Sequence, residues 1–425
     1  MRRLPLLLAP ALLCAAAVPA YATPVPGAPG CPVFPADNVW HADVSRLPVH
    51  ARSADWLANA GAGTRSLHPD FGASGDPAVP YGIPYHVVPS THSKVNVAFD
   101  YDDESDPGPY PLGSDTPIEG GAGSGGDMHT VTVDKDTCTL YETWYTQHTA
   151  SGWTAGSGAI WSLRSNAQRP AGWTSADAAG LPILPGLLRL DEVQAGSVDH
   201  AIRFTVAKTD QSYLWPARHY ASTVKDANRP PMGARFRLKA SFDVSSYRAD
   251  TQVVLRAMKK HGMLLADNGS DWYFQGAASN DWPDGFVSDL KRVPASAFEA
   301  VDESSLMVSP DSMAVRTTTA RPRPTRGMPG TTYKPFTPEA TPPPRRTTPA
   351  PRGTATATAP PAPRPSGPAT PATGATATTT TTAGPAVAEP PAQPPPTVRR
   401  TWPWLAVPAA VLALVAALAA RLRRA

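Results

Sequence analysis

The middle of the chain alternates between apolar and polar residues. Val95-Asn96-Val97-Ala98-Phe99, His129 to Val133 and His200 to Val206 change character at every second position. A period of two marks strands whose side chains point to opposite faces. The run at 129–133 meets 138–145 across Asp134-Lys135-Asp136-Thr137, which reads as a hairpin. The most regular stretch is Arg235 to Phe242, with basic and apolar residues alternating without a slip. One of its faces must be buried, and the other solvated or paired with acid.

A helical period stands out at Ala249 to His261. It sets Val253, Val254, Ala257, Met258 and His261 close to one stripe, with Lys259 and Lys260 in the last turn and Gly262 after it as a cap. A shorter helix is expected through Ser175 to Ala179, stopping at Gly180. Many strands, one or two helices and frequent Gly and Pro turns predict a mainly β fold. The expected form is a β-sandwich-like globular domain over residues 23–315, with a barrel as the alternative.

The two ends follow other patterns. Arg2 and Arg3, an apolar run to Pro19 and the small-x-small site Ala20-Tyr21-Ala22 read as a signal peptide over 1–22, cleaved before Thr23. Trp402 to Ala420 carries no charge, and at ~1.5 Å per residue it is about 28 Å long, close to a bilayer core. Trp402 and Trp404 suit an aromatic belt, and Arg421, Arg423 and Arg424 a positive stop. A transmembrane helix over 401–420 and a cytoplasmic tail over 421–425 are therefore expected, with the N-terminus outside. Between the body and this segment, residues 316–400 are Pro, Thr and Ala with almost no large apolar residue. Such a tract cannot bury enough surface to offset ordering entropy, so a disordered, partly polyproline stalk is expected.

Charge divides along the same lines. The net charge is +3, but the stalk holds 11 basic residues against 2 acidic, and the globular part 22 basic against 33 acidic. An acidic body argues against nucleic acid as a partner. A basic stalk favours contact with anionic wall polymers or lipid headgroups. Once the signal is removed, Cys31 and Cys138 remain, an even pair that reads as one disulfide in an exported chain. Zinc needs more ligands than two thiols, and no Cys/His spacing supplies them.

The stretches GWTSADAAGLPILPGLLRLDEV (172–193), PPMGARFRLKASFDV (230–244), LLADNGSDWYFQG (264–276) and CPVFPADNVW (31–40) resemble those of a group of exported, membrane-anchored proteins of high-GC actinobacteria. The resemblance covers nearly the whole globular region. It implies kinship and export, and it carries no activity and no functional residue.

Four places offer chemistry. The loop from Glu119 to His129 holds seven small residues between titratable Glu119, Asp127 and His129, and reads as a ligand rim. Lacking Gly-Lys-Ser/Thr, it is no phosphate loop. Asp191 and Glu192, with His200 and Asp177 near in sequence, are candidate carboxylates for glycoside hydrolysis. On a strand, however, neighbouring residues 191 and 192 face opposite ways. Asp100, Asp102, Glu104 and Asp106 form an oxygen-rich run suited to calcium. Numerous aromatics, with Trp153 the one expected to be exposed, suit stacking on sugar rings. Two functions follow: a surface domain binding carbohydrate or a cell-wall polymer, which is preferred, or an extracellular glycan-degrading hydrolase or lyase using paired carboxylates.

Overall fold

The computed structural model describes residues 23–316. The signal at 1–22, the stalk beyond Arg316, the segment at 401–420 and the tail at 421–425 lie outside the described residues. Among the described residues no helix is long and apolar enough to cross a membrane.

The described body is mainly β, with thirteen strands in three sheets. In chain order, the first part holds helix α1 (Ser53–Asn59) and strands β1 (His68–Asp70), β2 (His86–Val88) and β3 (Val97–Phe99). Next come β4 (Thr130–Asp134), β5 (Thr139–Trp144), β6 (Gln147–Thr149), β7 (Gly152–Ala155) and β8 (Ser157–Ser162). Helix α2 (Leu190–Ala195), β9 (Ile202–Val206), β10 (Arg235–Leu238) and α3 (Ala249–Lys260) follow. The last elements are β11 (Met263–Asn268), β12 (Tyr273–Gln275), α4 (Phe286–Leu290) and β13 (Phe298–Val301).

The largest sheet is mixed, in the order β1-β12-β9-β11-β10-β13. The second runs β2-β4-β5-β8 and the third β3-β7-β6. The expected hairpin is present: β4 and β5 are antiparallel, with Thr130 opposite Thr143 and Asp134 opposite Thr139. Its loop is fastened by Asp134, whose carboxylate accepts from the backbone of Asp136 and Thr137. One apolar core takes side chains from the first two sheets, among them Val131, Leu140 and Trp161 on one side and Phe204, Phe236 and Leu264 on the other.

Helix α3 buries Val253, Val254, Leu255, Ala257 and Met258. It ends where Gly262 takes φ +71°, and a Cβ there would come within 2.7 Å of the Phe236 carbonyl oxygen. Glycine is required on both counts. Two sequence expectations fail nearby. The strand at 235 stops at Leu238, because the chain turns and Phe242 N donates to Lys239 O. Residues 175–179 form turns and not a helix, with the Ser175 hydroxyl accepting from Asp177 N.

Cys31 and Cys138 are bonded, with Cα atoms 5.2 Å apart and a separation of 107 positions in sequence. Cross-linking so long a loop restricts the unfolded chain, a model-dependent contribution of about 2–5 kcal/mol. The Cys31→Ser/Cys138→Ser variant is accordingly expected to lose that much in urea unfolding. A midpoint unchanged by the substitution or by reductant would show that the bridge contributes nothing to stability.

Candidate functional site

Strands β4, β9 and β10 are buried along their whole length. Their alternate polar positions therefore point inward and must find partners. On β10, Arg235 pairs with Glu303 at 2.7 Å and Arg237 with Glu299 at 2.8 Å. On β9, Arg203 grips Asp177 through two hydrogen bonds of 3.0 and 2.8 Å, with both side chains buried. On β5, Glu142 accepts from the backbone N–H groups of Ile183 and Leu184. Just before β4, His129 places Nδ1 2.5 Å from Glu119 and Nε2 3.1 Å from the Ala176 carbonyl. This polar layer fixes the segment 175–184 and the root of the glycine-rich loop.

Above the layer lies a cleft of about 420 Å³, walled by Tyr101, Glu104, Asp127, Trp144, Tyr220 and Asp267. A second cavity of about 570 Å³ adjoins it, lined by the glycine-rich loop and Tyr81 and sharing Asp127. Asp127 is exposed and takes a 3.3 Å hydrogen bond from the Trp144 indole. That ring needs Gly156 beneath it, since a Cβ there would approach within 2.3 Å. On the far wall, His219 donates from Nδ1 to Ala178 O and stacks on Tyr220. Glu104 is fixed by the Thr174 N–H.

Asp267 sits near the end of β11, where the pairing with β9 shifts register between Leu265 and Asp267. Such an irregularity re-aims a side chain, and here Asp267 lines the cleft. Burial, and next the charge of Asp177, push its carboxyl up to about 7, against the pull of Arg203. Burial likewise pushes Glu142 up to about 7, opposed by its two N–H donors. Burial also lifts Glu303 to about 7, opposed by Arg235. For His129, burial works against the charge, but the adjoining Glu119 outweighs it and raises the imidazole to about 9.

Each of these four groups holds its proton more tightly folded than unfolded. Their contribution to stability is complete below the unfolded values and is lost as pH rises, through about 7 for the carboxyls and about 9 for His129. Asp134 and Asp289 are held below the usual carboxylate value, so their share is lost only in acid. Burial lowers His41, His50, His68, His86 and His261, so their share is lost as pH falls and opposes that of the four raised groups. Glu142→Gln, which removes one raised carboxyl, is therefore expected to reduce the stability at pH 5 relative to pH 9 by on the order of 2 kcal/mol compared with wild type. Urea unfolding of both proteins at the two pH values measures this; an unchanged pH difference contradicts the assignment.

Of the sequence candidates, the structure brings Glu119, Asp127 and His129 together, with one ligand-type atom of each within 4.8 Å of the others. His129 is buried, with Nδ1 on the Glu119 carboxylate and Nε2 on the Ala176 carbonyl, and the Glu119 charge favours its cationic form. Asp177 lies beneath the cleft in its pair with Arg203. Asp191 and Glu192 are not on a strand. They occupy the first turn of α2, where acids favour the helix N-terminus. Arg189 contacts both, and Glu192 is also 3.1 Å from His200. Asp191, Glu192 and His200 line neither cavity.

Trp153 is half-buried on β7, stacked on His148 at 4.6 Å, and it too lies outside both cavities. The acidic run does not gather into a calcium cage among the described residues. Asp106 is tied to Arg169 and the Ile160 N–H, Glu104 to Thr174, and Asp102 lies on a short 3₁₀ turn with Glu104. Neither Asp100 nor any of these belongs to a cluster of metal-ligating atoms. Sequence reasoning missed Asp267 and Tyr101, whereas Trp144 and Tyr220 belong to the aromatics expected to stack on sugar rings and do wall the cleft. Set against known protein families, curated proteins and solved structures, the chain matches none.

Proposed function

We propose that this protein cleaves an extracellular carbohydrate or cell-wall glycan by acid–base hydrolysis in the 420 Å³ cleft. One observation carries the reading: Asp127 and Asp267 line a single cavity with aromatic walls, and Asp267 has its carboxyl raised to about 7. A carboxyl near neutrality can be protonated at working pH and serve as general acid, while an exposed carboxylate serves as base. In the reaction, Asp267 gives its proton to the glycosidic oxygen as the bond from the anomeric carbon breaks. Water adds its hydroxyl to that carbon and passes its proton to Asp127. Trp144, Tyr101 and Tyr220 supply faces on which sugar rings stack.

The same proposal includes where the protein works. A cleaved signal, a sandwich-like body, a stalk at 316–400 and a span at 401–420 display the cleft outside the cell membrane. The experiment is a panel of wall and capsule polysaccharides incubated with the full-length chain, scored for both binding and newly released reducing ends. Turnover on one polymer supports the proposal. Binding without turnover instead returns the cleft to pure carbohydrate recognition, and neither binding nor turnover across the panel removes the glycan reading.

A further inference from the structure

Away from the cleft, two histidines and an aspartate converge. His86 opens β2, His92 lies in the turn that follows it, and Asp115 sits on the loop that leads to Glu119. One donor atom from each lies within 4.8 Å of the others. The Nε2 of His92 is 3.2 Å from the Asp115 carboxylate. Two donors bound to one tetrahedral zinc ion, each ~2.0–2.1 Å from it, are about 3.4 Å apart.

The surroundings are those a metal site needs. His92 Nδ1 is 2.8 Å from the Ser93 carbonyl, so it must carry a hydrogen and donate it. In the neutral ring this leaves a lone pair on Nε2, facing the carboxylate, and a cation between the two relieves that conflict. His86 Nδ1 is 3.3 Å from the Thr132 hydroxyl, across the β2–β4 pairing. Its Nε2 is buried and has no hydrogen-bond partner. A doubly protonated His92 would satisfy its own two contacts, but it would leave His86 Nε2 stranded. Gly113 completes the setting: a Cβ there would come within 2.8 Å of Asp115 and 3.6 Å of the His92 ring.

We infer that His86, His92 and Asp115 bind a divalent transition-metal ion of the zinc class. Two imidazoles and a carboxylate suit such an ion far better than calcium or magnesium. Asp115 is largely exposed, so the fourth position opens to water. The bound ion fastens the loop carrying Asp115 to β2, four residues ahead of Glu119 at the root of the glycine-rich loop.

The test uses the full-length chain without a histidine tag, stripped by chelator and dialysed against zinc. One equivalent of zinc is expected, with a rise in melting temperature on loading. Cobalt in its place should give the visible bands of a low-coordinate site with nitrogen ligands. His92→Ala and Asp115→Asn are expected to weaken binding on the order of 100-fold or more, and Thr132→Val, which removes only the support of His86, about tenfold. Glu119→Gln, in the other cluster, retains the equivalent. Zinc content no greater than a buffer blank overturns the inference, as does undiminished affinity in a His86→Ala/His92→Ala double variant. Should the variants fail to fold, cobalt-loaded wild type without nitrogen-ligand bands overturns it equally.

Discussion

Asp267→Asn lowers glycan turnover by about 10²–10⁴ while leaving affinity within a few-fold, the loss expected when a general acid is removed but its shape is kept. Asp267 is the cleft carboxyl whose burial, reinforced by the charge of Asp177, holds it protonated up to about pH 7. Wild-type turnover therefore falls as pH rises through that value, because the carboxyl can no longer donate. In the Asp267→Asn variant this limb disappears from the residual activity. Asp127→Asn loses activity through the base instead, and its residual rate keeps the limb near pH 7. A wild-type rate that holds level from pH 5 to 9, or full turnover in the Asp267→Asn variant, excludes Asp267 as the acid.

The sequence showed a good deal of this arrangement, and physical reasons account for what it hid. Alternation located β4, β9 and β10 and the hairpin to β5, because the period survives whatever covers the strands. It could not tell solvent from a buried polar partner. The basic positions of 235 and 237 read equally as a wet face, yet they are interior and paired with Glu303 and Glu299. The glycine-rich loop was legible as a rim because small residues and flanking charges are local features.

Asp267 was not legible. It lies in the strand-like run Leu264 to Asn268, and only the shift of register against β9 turns it toward the cleft. Asp191 and Glu192 read as strand neighbours after a Pro-rich turn, but they lie in the first turn of α2, where the Glu192 carboxylate accepts from the Arg189 N–H. The His86, His92 and Asp115 cluster has no signature spacing, since its members meet through the β2–β4 pairing and a later loop.

The Asp177→Ala variant is expected to lose about 3–5 kcal/mol of stability, the usual consequence of leaving one member of a buried ion pair without the other. Arg203 is on β9, an interior strand of the six-stranded sheet, and has no exposed path for its charge. Removing both charges together is a different matter. In Asp177→Leu/Arg203→Met no uncompensated ion remains, and most of the lost stability should return, since apolar replacement of a buried pair is often neutral or favourable. Chemical unfolding of the two variants at one pH makes the comparison, and a single variant within about 1 kcal/mol of wild type contradicts the burial argument. The double variant also separates folding from chemistry. Asp177 is the largest charge raising Asp267, while Arg203 opposes it. Asp177 also shares its turn with Ala176, whose carbonyl meets His129. A folded double variant with weakened turnover thus identifies the pair as the support on which the cleft acid depends.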